Sequence, residues 1–449
     1  MTQRADGVRA HGPVFISYRQ SDGAVTATRV AWLLRAAGVP VWQDDSDLAP
    51  GHTEDRLNEA LETGLSGAVL VVTPDIVVSP IVRNVELPAI LDLNSNPDFV
   101  LAIANTVRTE TGEGGDDDKG KTDFTAPDRL LGKPRGTLSG IKQYAVDEPD
   151  GLLRLLRDML TFRAGRLAAA RDGDGRSPLH LSVQTRAVPH AFGPDEADFS
   201  IRVRPPEHGR LPNPRGLHDL RSALRLLPQA VARTGARSVR ITGGAHLSAA
   251  FALGAALPAT LIGDVKVEGT AGDVWTCGTV SRPPGDTPSI QVANRSRSAI
   301  RPTGQARNVL AYVQLVPAQS DAAYTRFLDE HHADFDAWET LVPTVRDRLD
   351  PGAAGPMIEE LAGRLRALVA ENDHAHLHLL LHAPFPVAVL LGRLCNTLNV
   401  TVYEWNNETH APDGDARPQY VPCLTVNPTS AQGPITDVLL PTDDSKAGS

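Results

Sequence analysis

Five uninterrupted apolar residues, Ala68-Val-Leu-Val-Val72, constrain the fold of this chain more than any other segment. A strand without polar alternation has both faces covered, and such strands alternating with helices build a parallel sheet. The surroundings carry that alternation. Val14-Phe-Ile-Ser-Tyr18 reads as a first strand, and Val25, Val30, Leu33 and Leu34 give Ala24–Ala37 helical spacing that Gly38 stops. Val39-Pro-Val-Trp42 is the next strand, followed by a polar loop over Gln43–Gly51 and a helix at Glu54–Thr63 with Leu57 and Leu61 one turn apart. A further helix is expected around Ile81–Leu91. Residues 105–127 hold TETGEGGDDDKGKTD, too polar for a core, and read as an acidic loop. A last strand at Ile141–Val146 and a closing helix at Leu152–Ala170 complete a first domain over 1–172, with RDGDGRSP as a hinge.

The remainder, 173–449, reads as a degenerate duplication with halves at about 190–315 and 316–430 and a tail at 431–449. One half runs helix (Leu217–Arg233), strand (Ser238–Thr242), turn (Gly243–Ser248) and small-residue helix (Ala249–Leu257). The other runs helix (Met357–Glu371), strand (Ala375–Leu381), turn (His382–Pro386), helix (Val387–Leu398) and strand (Val400–Trp405). Pro228 should kink or shorten its helix. Both turns follow a strand and precede a helix, where ligands of parallel sheets collect on outward-facing N–H groups.

Several functions are excluded. No run of about 18 apolar residues offers a membrane span, and the polar start, MTQRADGVRAHGP, lacks a secretory apolar core. Cys277, Cys395 and Cys423 are far apart, which suits a reducing cytoplasm rather than a disulfide framework. The net charge of −10, from 44 basic and 54 acidic residues, argues against binding long nucleic acid. Yet residues 201–240 hold nine Arg against Glu207 and Asp219, a local reversal that fits a small anion or a solvated helix face. His374, His376 and His378 alternate on one expected strand, but neighbours on one strand face lie about 6.5–7 Å apart, too far for one tetrahedral metal without distortion. The pair His331 and His332 precedes Asp334 and Asp336, and no metal is assigned to either group. HExxH, GxSxG and P-loop motifs are absent from the sequence.

Val14-Phe-Ile-Ser-Tyr-Arg19 with Asp22, then Gly38-Val-Pro-Val-Trp42-Gln-Asp44, Leu48 and Gly51, then Val69-Leu-Val-Val72, Ser79 and Val82-Arg-Asn-Val-Glu86-Leu form ordered blocks. Over about residues 12–165 they resemble a TIR (Toll/interleukin-1 receptor) domain. The resemblance implies a flavodoxin-like fold with a five-stranded parallel sheet. Some TIR domains cleave the nicotinamide–ribose bond of NAD with a helical Glu, and Glu86 stands at the matching place; Glu59 and Glu62 fall on the preceding helix. For the substrate NAD the resemblance implies Ser17, Tyr18, Arg19, Trp42, Asp44, Asp47 and Arg83, with completion by a neighbouring copy and no metal or other cofactor. The spacing differs from the pattern: its Trp is replaced by Ile81, and Glu86 lies five residues on rather than four. In a straight α-helix one extra residue turns a side chain by about 100°; Pro88 is placed to distort this one.

His382-Ala-Pro-Phe-Pro-Val-Ala-Val-Leu-Leu-Gly-Arg393, Val402-Tyr-Glu-Trp405, Gly243-Gly-Ala-His246-Leu-Ser248 and Val274-Trp-Thr-Cys277 resemble a SAVED domain, two fused CARF-like Rossmann-type halves that act as the sensor of CBASS-type bacterial anti-phage systems. This implies binding of a cyclic oligonucleotide, a trinucleotide before a di- or tetranucleotide. Helix N-termini and Arg would meet phosphates, and aromatic planes would stack bases. The candidates are His246, Ser248, Trp275, Thr276, Ala383, Pro384, Phe385, Arg393, Tyr403 and Trp405, with Gly254 and Gly392 expected to bring helix close to sheet. The expected function is a messenger-gated effector: the ligand drives self-association, and TIR domains split NAD to nicotinamide and ADP-ribose or its cyclic form. The alternative is a non-catalytic TIR scaffold.

Overall fold

The computed structural model describes residues 7–42, 60–62, 64–109, 120–171, 177–186, 197–206, 210–269, 271–278, 288–297, 307–317, 321–345, 349–406 and 417–442. The chain divides into two compact units. The first is Met1–Asp174 with the short segments Gly193–Ile201 and Arg233–Gly235; the second holds the rest. No helix of the described residues is long and apolar enough to cross a membrane.

In the first unit, β1 (Val14–Ser17) leads to α1 (Gln20–Ala36), and β2 (Val41–Trp42), β3 (Gly67–Val72) and β4 (Val100–Asn105) follow. Helix α1 starts before its apolar spacing, since its first turn, Gln20-Ser-Asp22, is polar and Gly23 packs on the Tyr18 side chain. A π-turn over Val82–Glu86 runs into α2 (Leu87–Leu93). Then come α3 (Ala126–Leu130), within and beyond the end of the expected acidic loop, β5 (Gln143–Ala145) and α4 (Pro149–Ala170). The sheet order is β2-β1-β3-β4-β5, with every pairing parallel. All six residues of β3 are buried, as a doubly covered central strand requires. Of the helix expected at Glu54–Thr63, residues 60–62 are described and are helical; the others lie outside the described residues.

The strands from Leu179 onward form two sheets. The first is drawn from β6 (Leu179–Gln184), β7 (Phe199–Arg202), β8 (Ser238–Gly244), β9 (Asp264–Glu268) and β10 (Val274–Trp275), ordered β10-β9-β8-β6-β7. Its helices are α5 (Pro214–Leu224), α6 (Leu227–Arg233) and α7 (Leu247–Ala255). The single helix expected over Leu217–Arg233 is two helices. Pro228 sits in the first turn of α6, where its missing N–H leaves no hydrogen bond unmade.

The second sheet takes β11 (Ile290–Arg297), β12 (Asn308–Gln314), β13 (Ala337–Pro343), β14 (His376–His382), β15 (Val400–Asn406), β16 (Gln419–Val426) and β17 (Ile435–Val438), ordered β11-β13-β12-β14-β15-β16-β17. Helices α8 (Ala322–His331), α9 (Ala354–Ala370) and α10 (Phe385–Leu394) cover it. Strands β11 and β12 belong to this sheet, so the sheets part before Ile290 rather than near 315, and the expected tail supplies β17.

The duplication is legible in strand order. Strands β9-β8-β6-β7 of one sheet repeat as β15-β14-β12-β13 of the other, and α7 after β8 matches α10 after β14. Gly254 and Gly392 are the eighth residues of α7 and α10. A Cβ on Gly254 would lie 1.8 Å from the Val389 carbonyl oxygen, and one on Gly392 2.0 Å from that of Phe251. These glycines therefore bring helix onto helix, correcting the expected helix-to-sheet approach.

Candidate functional site

In the first unit, β2 and β3 flank β1, so the strand order reverses between β1 and β3, and ligands of such sheets bind outside the carboxyl ends of those strands. Ser17 closes β1 there, fully buried, and its Oγ donates to Glu86 Oε2 at 2.6 Å. Glu86 is 6% exposed. The π-turn explains how it reaches that place. Five α-helical steps from Ile81 would overshoot a full turn by about 140°. Here the Leu87 N–H bonds the Val82 carbonyl, five residues back, so the wider turn absorbs the extra residue. Pro88 follows at once and supplies the cause: its ring and missing N–H disfavour the regular bond to residue 84.

Arg19 precedes α1 and pairs with Asp22 at 3.2 Å and with Asp75, after β3, at 3.5 Å. It thus spans the crevice mouth. Tyr18 is buried beside Gly23. Trp42 is half-buried on the edge strand, paired with Phe15, and packs on the core. Arg83 is exposed and donates to the Val77 carbonyl at 3.2 Å, outside the Ser17–Glu86 contact. Asp44, Asp47 and Glu59 lie outside the described residues, and Glu62 is exposed.

The second unit carries a cavity of about 780 Å³, open to solvent, at the carboxyl ends of β6 and β8 and of β12 and β14. Those are the two points where strand order reverses, so the duplicated halves present their crevices to one space. The first half contributes Arg186, Arg210 and His246; the second contributes Tyr312, Asp321, Tyr324, His382, Glu404, Trp405 and Tyr420.

His246 is 1% exposed. Its Nε2 meets the Arg210 carbonyl at 2.8 Å and must donate, so Nδ1 accepts from the Thr185 hydroxyl at 2.7 Å. Burial first, and the Arg186 charge second, push its pKa down to about 4, leaving it neutral. Glu404 is buried, and its Oε1 accepts the Ser248 N–H, in the first turn of α7, at 2.7 Å. Burial raises its carboxyl, while Ser248 and Arg186 act in the opposite direction. Opposite these groups stands an aromatic wall. Tyr312 and Tyr324 stack with centroids 4.1 Å apart, and Tyr420 meets Tyr312 edge-on at 6.1 Å. Gln314 Nε2 donates to Asp321 Oδ1 at 2.9 Å below this wall.

The TIR domain model matches residues 14–127, and the model of SAVED, the "SMODS-associated and fused to various effectors sensor domain", matches residues 221–426. The chain joins a TIR domain to a SAVED domain. Similar solved structures include the Acinetobacter baumannii Cap4 SAVED/CARF-domain containing receptor with the cyclic trinucleotide 2'3'3'-cAAA. It is 14% identical, with TM-score 0.42, over 90% of this chain and 97% of that one. The same receptor with 3'3'3'-cAAA is also 14% identical, with TM-score 0.41, over 89% and 97%. No curated protein matches.

Of the SAVED residues singled out from sequence, His246 and Trp405 line the cavity. Ser248 lies behind it, holding Glu404 and donating to Cys423 Sγ at 3.2 Å. Ala383, Pro384 and Phe385 form the half-buried turn into α10, beside the cavity-lining Leu381 and His382. The others are placed in structural contacts. Arg393 is buried and donates to the carbonyls of Leu257, Ile262 and Gly263, a clamp between chain segments rather than a phosphate hook. Trp275 is buried and donates to Asp273 Oδ2 at 2.5 Å, while the Thr276 carbonyl approaches Gly355 on α9. Tyr403 is buried among aromatics, its hydroxyl 2.9 Å from His378 Nδ1. His376 bonds the Thr401 hydroxyl at 2.7 Å, so these two imidazoles have separate partners.

Sequence reasoning missed Arg186, Tyr312, Asp321, Tyr324, His382, Glu404 and Tyr420 as site residues. Glu404 stood inside the quoted Val402–Trp405 block, and Arg210 within the Arg-rich run. Tyr312, Tyr324 and Tyr420 fall on β12, α8 and β16, none of which was delimited from the sequence.

Proposed function

We propose that this chain is an NAD glycohydrolase switched on by a cyclic oligonucleotide. The observation that carries the reading is the Glu86 carboxylate, buried at the β1/β3 reversal point and oriented by Ser17. When nicotinamide leaves NAD, the N-glycosidic bond breaks, its electron pair goes to the pyridinium ring, and positive charge develops on the ribose. A fixed carboxylate in a place shielded from water stabilises that charge, as in glycoside hydrolysis. Water then adds at the ribose carbon to give ADP-ribose and a proton, or an adenine nitrogen adds to give the cyclic product. Arg19 at the crevice mouth is the candidate for the pyrophosphate, exchanging its carboxylate partners for phosphate.

The sensor half of the reading rests on the SAVED cavity. It combines guanidinium groups with flat aromatic surfaces, the two features a cyclic nucleotide needs. Binding there promotes self-association of chains, which completes TIR pockets and starts NAD depletion in the infected cell.

The test is nicotinamide release from NAD by the full chain, with cyclic di-, tri- and tetranucleotides added singly and particle size followed alongside. Expected is turnover with at least one ring, accompanied by assembly, and its loss in Glu86→Gln. Silence with every ring favours the non-catalytic scaffold. Unchanged turnover in Glu86→Gln removes that residue from the chemistry.

A further inference from the structure

A cavity suited to an anion carries a carboxylate in its wall. Glu404 comes from β15 in the second half of the SAVED domain, yet its Oε1 is bound by the Ser248 N–H, in the first turn of α7 in the first half. A helix N-terminus attracts anions. Here the anion is part of the chain, so the α7 terminus that the sequence offered to phosphate is already filled. A ligand phosphate placed beside Glu404 would face like charge at close range. A carboxylate only accepts hydrogen bonds, and Ser248, through its N–H and its side chain, leaves part of its roughly four acceptor positions open. What meets Glu404 across the cavity is therefore a donor.

The aromatic wall indicates which donor. Trp405 and Tyr420 are directly paired across β15 and β16, so their side chains stand together on one sheet face. Trp405 is 41% exposed, and Tyr312 lies edge-on to Tyr420. These planes are where a base lies flat. Arg186 and Arg210, both exposed, supply the positive side. A ring seated this way keeps phosphates by the arginines and presents a base edge to Glu404.

The duplication makes the arrangement one-sided. The ladders pair Val239 with Val265 in the first half and Leu377 with Val400 in the second. Counted from those pairs, the position equivalent to Glu404 is Gly269, which has no side chain. Resting on the sensor reading above, we infer that Glu404 accepts the exocyclic amino group of one nucleobase, so that the cavity reads a single amino-bearing base of a cyclic oligonucleotide.

The experiment is calorimetric titration of the full chain with 3′3′3′-cyclic tri-AMP and with rings in which two or all three adenines are replaced by unsubstituted purine. That change removes the amino group alone. A hydrogen bond to a charged group is expected to make the all-purine ring about 10–100-fold weaker. The ring keeping one adenine should lose about threefold, the statistical loss of two of three orientations. Glu404→Gln retains an oxygen for Ser248 but turns an NH₂ toward the ligand, so its preference for adenine over purine should vanish or invert. This ratio is read within one variant and is independent of any loss of folded protein. Equal binding of all three rings, equal stepwise loss at each replacement, or a wild-type ratio in Glu404→Gln overturns the inference while leaving the sensor reading standing. Failure of cyclic tri-AMP and of every other adenine- or guanine-containing ring to bind overturns both.

Discussion

The TIR crevice and the SAVED cavity each hold a buried carboxylate near a serine, but they are assembled differently. Glu86 meets Ser17 inside one sheet-and-helix layer, and both residues lie in short contiguous blocks of sequence. Glu404 meets Ser248 across two halves of a duplication, 156 positions apart. The first contact fixes the direction of a buried carboxylate within a single fold. The second ties two copies of a fold together around a shared space. A local site tolerates irregular spacing by deforming one turn; a composite site depends on how two bodies are held.

The sharpest break between the two is catalytic. Glu86→Gln should lower ring-stimulated nicotinamide release by about 10²–10³-fold, the cost of removing one preorganised electrostatic group. Titration should show ring binding by the SAVED domain unaffected. Ser17→Ala leaves the carboxylate but not its orientation. Loss of a hydrogen bond to a charged group, about 1.5–3 kcal/mol, should lower turnover ten- to a hundredfold, measured as kcat with KM nearly constant.

For the composite site, Gly254→Ala and Gly392→Ala each place a methyl against the opposing helix backbone. Each should destabilise the SAVED domain by about 1–3 kcal/mol, seen as a lower Tm. The double variant should be less than additive, because once the helices part for one methyl the second finds room.

Acid should separate the domains further. His246 and His378 of the SAVED domain are both pushed by burial down to about 4 from 6.5. Between those values the unfolded chain binds more protons than the folded one, so stability is full above about 6.5 and falls as pH drops toward 4. Melting curves from pH 7.5 to 4.5 should show the SAVED transition declining, with His246→Gln flattening that decline. The smallest effect belongs to the exposed arginines. Arg186→Ala or Arg210→Ala should weaken ring binding about two- to fivefold, as exposed ion pairs do, and more at low salt.

The contrast between local and composite sites also sets what the sequence could reveal. The parallel sheet was readable because the apolar run at Val69–Val72 and the stop at Gly38 are local facts, whereas its count of five strands came from the TIR resemblance and the strand Val100–Asn105 was not read from the residues. The place of Glu86 was readable, but its direction was not: the π-turn is a compromise between Pro88 and the packing of Val82 and Leu87, which no spacing rule contains. In the SAVED domain the helix–strand–turn order disclosed the duplication. The cavity wall stayed hidden, because strand ends far apart in sequence build it. Arg393 has the composition of a phosphate ligand, and only the carbonyls of Leu257, Ile262 and Gly263 identify it as a brace. Trp275 misled similarly, since an aromatic on a short strand reads alike whether it faces a ligand or Asp273.

The reciprocal crossing of α7 and α10 has a consequence for the ancestry of such a chain. Each glycine lies beneath a peptide oxygen of the other helix, so neither has room to acquire a side chain unless the opposing backbone retreats. The cavity lining, by contrast, differs between the halves, with arginines from the first and tyrosines from the second.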